Sequence, residues 1–123
     1  MSEVKAVLII DDSRVSRLMV KAILKKAYPE AHIYEAGNAE ETLALEIDHE
    51  LTQIICDFNM PGMDGVELST ELQKRHPNAI ITLLTANIQA SIRNKAEDQG
   101  IYFAKKPVTE ERILSILKKE KKC

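Results

Sequence analysis

Apolar runs and amphipathic segments alternate along the chain. Residues 4–10 form a continuous apolar run rich in branched side chains, which is typical of a strand buried on both faces of a sheet. Residues 13–27 then place apolar side chains at helical spacing, which predicts a helix that begins at the N-cap Ser13 and ends before Pro29. The apolar stripe of this helix consists of Val15, Leu18, Met19, Ala22 and Ile23.

The same alternation continues to the last residues of the chain. Further strands are predicted at 32–36, 53–57, 79–84 and 101–104, and the turn-forming residues 58–65 separate two of the units. Further helices are predicted from the cap pair Asn38 and Glu41 to near Ile47, at 66–75, at 88–98, and at 109–122 with Thr109 as N-cap and Ile113, Ile116 and Leu117 facing inward. Short connections and right-handed crossovers then predict an α/β fold, a doubly wound five-stranded parallel sheet with helices on both faces.

The composition agrees with one globular domain. The 123 residues are 45% hydrophobic, enough to bury one core and too few for two domains, so residues 1–123 are expected to form a single domain. No apolar run approaches the roughly 20 residues of a membrane span, and the N-terminal segment lacks the features of a signal peptide. A cytoplasmic protein without membrane contact is therefore expected, with Cys56 and Cys123 as free thiols.

The net charge of −2 conceals a basic C-terminus. Residues 105–123 carry seven of the 17 bases but only three of the 19 acids. These bases are not interleaved with aromatic side chains, as they would be on a nucleic-acid surface. We interpret the segment as a solvated helix end whose lysines suit the negative pole of the helix dipole, and we expect no direct nucleic-acid binding.

Polar side chains of complementary chemistry follow four of the five predicted strands. Asp11 and Asp12 end the first strand, Asp57 ends the third, Thr85 follows the fourth, and Lys106 follows the fifth. Because parallel strands end at one edge of a sheet, three carboxylates, a hydroxyl and an ammonium are expected to lie together there. Clustered carboxylates repel one another, and Mg²⁺ is a hard cation that would neutralise them. A carboxylate, a metal ion, a hydroxyl and a lysine are the groups that phosphoryl transfer requires.

In combination, the segments VLIIDD, IICDFNMPGMDG, LLTA and FAKKP resemble the receiver domain of bacterial response regulators, and the resemblance covers the whole chain. It implies the flavodoxin-like, three-layer sandwich of CheY-like proteins. It also implies that Asp57 accepts a phosphoryl group, in a Mg²⁺-dependent reaction, from a phosphohistidine of a sensor histidine kinase or phosphotransfer protein, or from a small phosphodonor. The domain would then switch conformation and control the binding of a downstream effector protein in two-component signalling.

The resemblance also implies the metal ligands. Asp12, Asp57 and the backbone carbonyl of Asn59 would bind Mg²⁺ directly, and Asp11 would bind it through water. Asn59 and Asn87 would tune the lifetime of the acyl phosphate. Since neither is a carboxylate that can act as a base on a hydrolytic water, moderately slow self-dephosphorylation is expected.

Thr85 and Lys106 would hold the phosphoryl oxygens. Lys106 is preferred to Lys105 because it immediately precedes Pro107, as in the family, and because its neighbour in an extended segment points the other way. The peptide bond before Pro107 is typically cis in the family. Phe103 would be the switch aromatic, which turns inward when Thr85 moves toward the phosphoryl group.

One departure from the family pattern affects the fifth strand. Gly100 is followed by only Ile101 and Tyr102 before Phe103, so the strand starts one residue short and its register is open. It is therefore also open whether Phe103 or Tyr102 is the switching ring. Effectors would read a surface formed by the fourth helix, the fifth strand and the fifth helix, with Ile88 and Ile92 among its residues.

Several alternatives stay open. The chain is compatible with a stand-alone receiver, a phosphorelay intermediate or a fragment of a longer regulator, and with a monomer or a phosphorylation-linked dimer. The enzyme alternative is an aspartate-nucleophile phosphohydrolase, which usually carries a second aspartate two residues later, where this chain has Asn59. A receiver fold that works without phosphorylation is disfavoured because the acids, Thr85 and Lys106 are all present. We therefore predict a switch and not a turnover enzyme.

Overall fold

The computed structural model describes residues 4–58, 65–86 and 89–118. Its elements are β1 (Ala6–Ile10), α1 (Arg14–Ala27), β2 (His32–Ala36), α2 (Ala39–Ala44), β3 (Gln53–Asp57), α3 (Gly65–Arg75), β4 (Ile80–Thr85), α4 (Ala90–Asp98), β5 (Tyr102–Lys105) and α5 (Glu110–Leu117). The predicted alternation of strands and helices is therefore confirmed. The basic end of the chain, including Cys123, lies outside the described residues. Within them, no helix combines the length and the apolar character needed to cross a bilayer.

The five strands form one parallel sheet in the order β2-β1-β3-β4-β5. Parallel strands need a crossover over a face of the sheet, which is why a helix connects each strand to the next one. The central strands β1, β3 and β4 are wholly buried, as their predominantly apolar sequences predict. Ile10 of β1 is level with Cys56 of β3, so these two strands end side by side where the strand order reverses. The predicted doubly wound α/β fold is confirmed.

Two hydrophobic cores lie on opposite faces of the sheet. Neighbouring residues of β1 point into different cores, Leu8 into one and Ile9 into the other, because strand side chains alternate. The first core is covered by α2, α3 and α4, which contribute Leu43, Leu68, Leu72 and Ala96. The second core is covered by α1 and α5, which contribute Val20, Leu24, Ile113, Ile116 and Leu117. The inward face predicted for the last helix is thus confirmed. The two cores hold the central strands in place, and the carboxyl ends of these strands carry the polar side chains predicted from the sequence.

Three predicted helix starts are confirmed by capping hydrogen bonds. The side chains of Ser13, Asn38 and Thr109 each accept from the backbone amide three residues later. The pairing of Asn38 with Glu41 differs slightly from a capping box, because the Glu41 carboxylate accepts from the amide of Gly37, one residue before the cap, at 2.7 Å.

The second helix is shorter than predicted. It ends at Ala44 and not near Ile47, because Leu45 already has an extended backbone with ψ of 135°. Leu45 and Ile47 nevertheless both pack against the first core. Leu45 and Ile47 are two residues apart, the period of an extended segment. The sequence pattern alone does not distinguish such a segment from the end of an amphipathic helix.

The first helix turns its predicted apolar stripe toward solvent, so that expectation is only partly right. The side chains of Val15, Leu18 and Met19 are 68%, 52% and 48% exposed. The helix packs on the sheet mainly through Val20 and Leu24, which are buried in the second core. Apolar residues therefore lie on two faces of α1, and helical periodicity does not indicate which face meets the sheet.

Gly100 sets the register of β5, which the sequence left open. Its φ of 86° is a left-handed conformation that glycine adopts readily. The amide of Gly100 donates to the carbonyl of Glu97 at 2.9 Å, and that of Ile101 donates to the carbonyl of Ala96 at 3.0 Å. This Schellman pattern ends α4, buries Ile101 completely, and lets β5 begin at the next residue.

We expect Gly100→Ala to lower the free energy of unfolding by about 1–2 kcal/mol, because a Cβ is disfavoured at positive φ. Apart from the two neighbouring residues in the chain, no atom of the described residues lies within 4 Å of the added Cβ, so the loss of stability is conformational. Urea denaturation would measure it. Gly37→Ala is the matched control, because Gly37 is not left-handed and the nearest atoms to its Cβ belong to flexible side chains. Equal losses in the two variants would contradict this explanation.

Candidate functional site

Three carboxylates meet at the carboxyl edge of the sheet. Asp11 and Asp12 directly follow β1, and Asp57 is the last residue of β3. One oxygen of each carboxylate lies within 4.8 Å of the other two. Asp11 and Asp57 are buried whereas Asp12 is exposed, so the cluster opens to solvent on the Asp12 side. The convergence expected from the strand ends is observed for these acids.

The turn that carries Asp11 is held from two directions. Its amide donates to the carbonyl of Ala36 in β2 at 3.1 Å, and its carboxylate accepts from the amide of Ser13 at 2.8 Å. The guanidinium of Arg17 donates to the backbone carbonyl of Asp11 and lies 3.5 Å from the Glu35 carboxylate. The first turns of α1 and the end of β2 together position this acid.

A lysine supplies positive charge to the cluster. The Nζ atom of Lys106 lies 2.8 Å from Oδ1 of Asp57, whose side chain is only 5% exposed. The amide of Lys106 donates to the carbonyl of Thr85 at 2.9 Å, and the bond from Lys106 to Pro107 is cis, as the resemblance implied. Lys105, the competing candidate, is exposed and pairs with Thr85 in the sheet. The geometry thus places Lys106 at Asp57.

The negative charges of the cluster are costly in this partly buried position. Burial raises the pKa of the Asp11 carboxyl above its ordinary 3.8, and the neighbouring charge of Asp57 acts in the same direction. The amide of Ser13 and the ammonium of Lys106 lower the pKa of Asp11 but do not outweigh burial. The cluster therefore favours anything that adds positive charge, either a proton or a cation.

The donor set fits a hard divalent cation. Mg²⁺ prefers oxygen ligands, typically one or two carboxylates completed by waters, and the open side at Asp12 gives access to water. Asp11, Asp12 and Asp57 are the residues that would hold the ion. The fourth predicted ligand, the carbonyl of Asn59, lies outside the described residues, as does Asn87.

Thr85 and Phe103 border one cavity at the carboxyl end of β4. The cavity has a volume of about 550 Å³, and Arg93 and Glu97 contribute charged groups to its wall. Thr85 is 2% exposed at the end of β4, and Phe103 is half-buried against the first core. Tyr102, the other candidate for the switching ring, is not among the residues that line this cavity.

Three features near the site were missed in reading the sequence. They are the contact of Arg17 with Asp11, the ring of Phe58 against Phe103, and the exposed apolar face of α1. The first two depend on side chains from different elements and carry no motif. The third had a signal in the sequence, since α1 contains more apolar residues than one helix face needs.

Comparison with known proteins identifies relatives of this chain. The family model of the response regulator receiver domain matches residues 7–118. The chemotaxis protein CheY of Thermotoga maritima is 33% identical over 119 residues, which are 96% of this chain and 98% of that protein. The structure of the chemotaxis response regulator CheY4 of Vibrio cholerae matches with a TM-score of 0.77 at 28% identity, over 94% of this chain and 97% of that one. The resemblance found in the sequence motifs is confirmed.

A second relative is much longer. The sensory transduction protein LytT of Bacillus subtilis is 33% identical over 117 residues, which are 94% of this chain but 48% of LytT. This chain therefore spans about half of the length of LytT and nearly all of the T. maritima CheY.

Removing one charge from the cluster should stabilise the fold in the absence of divalent cations. Asp11→Asn keeps an oxygen that accepts from Ser13, so we expect a gain of about 1 kcal/mol, or roughly 2–5 °C in Tm. Differential scanning calorimetry in EDTA would measure it. Asp48→Asn, an exposed acid outside the cluster, is the control and should leave Tm nearly unchanged. A Tm of Asp11→Asn at or below that of wild type would contradict the electrostatic interpretation.

Proposed function

Because the chain belongs to the response-regulator receiver family, we propose that Asp57 is its phosphoryl acceptor and that phosphorylation switches a single domain of residues 1–123. Accepting a phosphoryl group on an aspartate is the general function of the family in two-component signalling. The proposed donor is a phosphohistidine on a sensor histidine kinase or on a phosphotransfer protein, with small phosphodonors as substitutes.

The contact that carries this proposal is the 2.8 Å bond between Lys106 and the buried Asp57 carboxylate. A carboxylate held in this way has a defined orientation toward an incoming phosphorus atom. Buried ion pairs also occur for purely structural reasons, but additional carboxylates beside such a pair would not stabilise it. Here Asp11 and Asp12 lie within 4.8 Å, a placement that suits a site built to hold a cation and a phosphoryl group.

In the proposed reaction, an oxygen of Asp57 attacks the phosphorus of the phosphohistidine. The new O–P bond forms an acyl phosphate, and the N–P bond breaks with its electron pair remaining on the imidazole nitrogen. Lys106 exchanges its contact with the carboxylate for one with a phosphoryl oxygen, and the hydroxyl of Thr85 donates to another. Asp11, Asp12 and Asp57 would hold Mg²⁺, which when bound supplies neutralising charge to the phosphoryl oxygens.

The exposed apolar residues of α1 support docking of the phosphodonor beside the site. Val15, Leu18 and Met19 belong to the first two turns of α1, which starts two residues after Asp12. Large apolar side chains clustered on an exposed helix face are typical of a protein-binding surface. We infer that the kinase or phosphotransfer protein packs on this face and so brings its imidazole to the carboxyl edge of the sheet.

The cavity beside Thr85 supports a separate surface for the effector. It lies against α4 and β5, and its charged residues Arg93, Glu97 and Lys105 offer partners for salt bridges. An effector bound there would contact the region of Thr85 and Phe103, whose positions depend on phosphorylation in this proposal. Readout on α4, β5 and α5 is thereby kept apart from phosphoryl entry on α1.

The proposed output is a change in protein binding and not catalytic turnover. A stand-alone receiver and a phosphorelay intermediate both agree with this role, as do a monomer and a phosphorylation-linked dimer. The cytoplasmic location stays a prediction. Continuous release of phosphate from a phosphate ester would instead favour the phosphohydrolase alternative.

The acceptor is tested by incubation with acetyl phosphate and Mg²⁺, followed by intact-protein mass spectrometry. Wild type should gain one phosphoryl group, and EDTA should prevent the gain. Asp57→Asn should gain none, because the amide is a poor nucleophile toward phosphorus. Asp48→Asn, an exposed acid far from the cluster in the chain, should be labelled like wild type. Labelling of Asp57→Asn at the wild-type level would overturn the assignment.

The docking surface is tested by comparing the rate of phosphoryl transfer from a protein donor with the rate from a small donor. Leu18→Asp puts a charge into the exposed apolar face and should slow transfer from a phosphohistidine protein by about tenfold or more. The rate with acetyl phosphate should not change, because the acids and Lys106 are untouched. Ser91→Asp, an exposed position on α4, is the control. A Leu18→Asp variant that slowed both reactions equally would point to damage of the site and against docking on α1.

A further inference from the structure

A second aromatic ring connects the acceptor strand to Phe103. Phe58 directly follows Asp57, and its ring centroid lies 6.2 Å from that of Phe103 with an interplanar angle of 60°. Because strand side chains alternate, Phe58 lies on the face opposite to Asp57 and packs with Phe103 against the first core. Edge-to-face pairs of this geometry attract each other beyond the effect of their burial.

Phe58 is itself held in place on other sides. Its amide donates to the carbonyl of Leu84 in β4 at 2.8 Å. Gly65, the first residue of α3, lies so close that a Cβ there would be 3.1 Å from Cδ1 of Phe58 and 3.2 Å from its Cα and its carbonyl oxygen. Phe58 is therefore bounded by β4 and α3, and it presents a fixed surface to the ring of Phe103.

We propose that Phe58 is a positioning residue for the switch. Its ring packs against Phe103 and stabilises the inward orientation of that side chain. The inference rests on the proposed role of Asp57 and deepens it, since it names what stabilises the phosphorylated conformation in this chain. The acceptor Asp57 and the ring of Phe58 belong to consecutive residues, and Thr85 lines the same cavity as Phe103. Phosphoryl binding at Asp57 and the inward orientation of Phe103 thus favour each other, because the contacts that stabilise them are adjacent.

This role differs measurably from that of an ordinary core residue. If inward Phe103 and a bound phosphoryl group stabilise the same conformation, weakening the ring contact must also weaken phosphoryl binding. A side chain that only fills the core would affect unfolding and leave binding unchanged. The two roles are separated by measuring both quantities on the same variants.

The test is a double-mutant cycle with Phe58→Leu, Phe103→Leu and the double variant. Beryllofluoride with Mg²⁺ serves as the probe, a tetrahedral mimic of a phosphoryl group, and the amide NMR signals of Thr85 and Lys106 report its binding. Each single variant should raise the half-saturating concentration about three- to tenfold, through loss of the edge-to-face contact. The double variant should bind no more weakly than the weaker single variant, because both changes remove one interaction.

Two controls accompany the cycle. Tyr102→Leu removes a ring that lies on the face of β5 opposite to Phe103. Its effect on beryllofluoride affinity should therefore add to that of Phe58→Leu without coupling. Phe58→Tyr keeps the ring and should bind beryllofluoride like wild type. Thermal unfolding of each variant shows that it is folded.

Additive effects of Phe58→Leu and Phe103→Leu would overturn the inference, as would unchanged beryllofluoride affinity in Phe58→Leu. Loss of binding in Phe58→Tyr equal to that in Phe58→Leu would also overturn it, because the ring would then not be the determinant. A wild-type chain that bound no beryllofluoride would overturn the proposed function of Asp57 and this inference with it. Failure of the inference alone is therefore distinguishable from failure of the function.

Discussion

The strands of this sheet all run in the same direction, and the arrangement of the site depends on that constraint. Parallel strands deliver their carboxyl ends to one edge, so residues far apart in the chain meet there, among them Asp11, Asp57, Thr85 and Lys106. The same constraint requires a crossover between consecutive strands, and the crossover helices together with α5 bury the two cores. A reversed β3 would place Asp57 at the opposite edge, away from the other acids.

The edge is electrostatically strained while the interior beneath it is apolar and well packed. Carboxylates that share a small, partly buried volume raise one another's energy, and the bond from Lys106 to Asp57 offsets only part of this. Such a cluster persists because the surrounding strands are fixed by buried aliphatic side chains on both faces. Functional sites commonly give up stability in this manner, and the consequence is affinity for groups that supply the missing charge.

In the proposed function, the surroundings of the site divide into an entry side for the donor and a readout side for the effector. The entry side is the exposed apolar face of α1, which starts just after the acids. The readout side is the cavity at Thr85, against α4 and β5. Phe58 and Phe103 connect the acceptor strand to that second side through one ring contact. In the proposed function, a donor and an effector therefore need not compete for the same surface.

The sequence by itself determined the order of the elements, three of the helix caps and the identity of the polar residues at the strand ends, because these depend on local periodicity and side-chain chemistry. Tertiary structure decided what local patterns leave ambiguous. It selected Val20 and Leu24 as the core face of α1, ended α2 at Ala44, and used left-handed Gly100 to set where β5 begins. It also decided that Lys106 reaches Asp57 and that Phe103, not Tyr102, borders the cavity at Thr85. These outcomes depend on which neighbouring surfaces are available to each side chain, and that information exists only once the sheet has assembled.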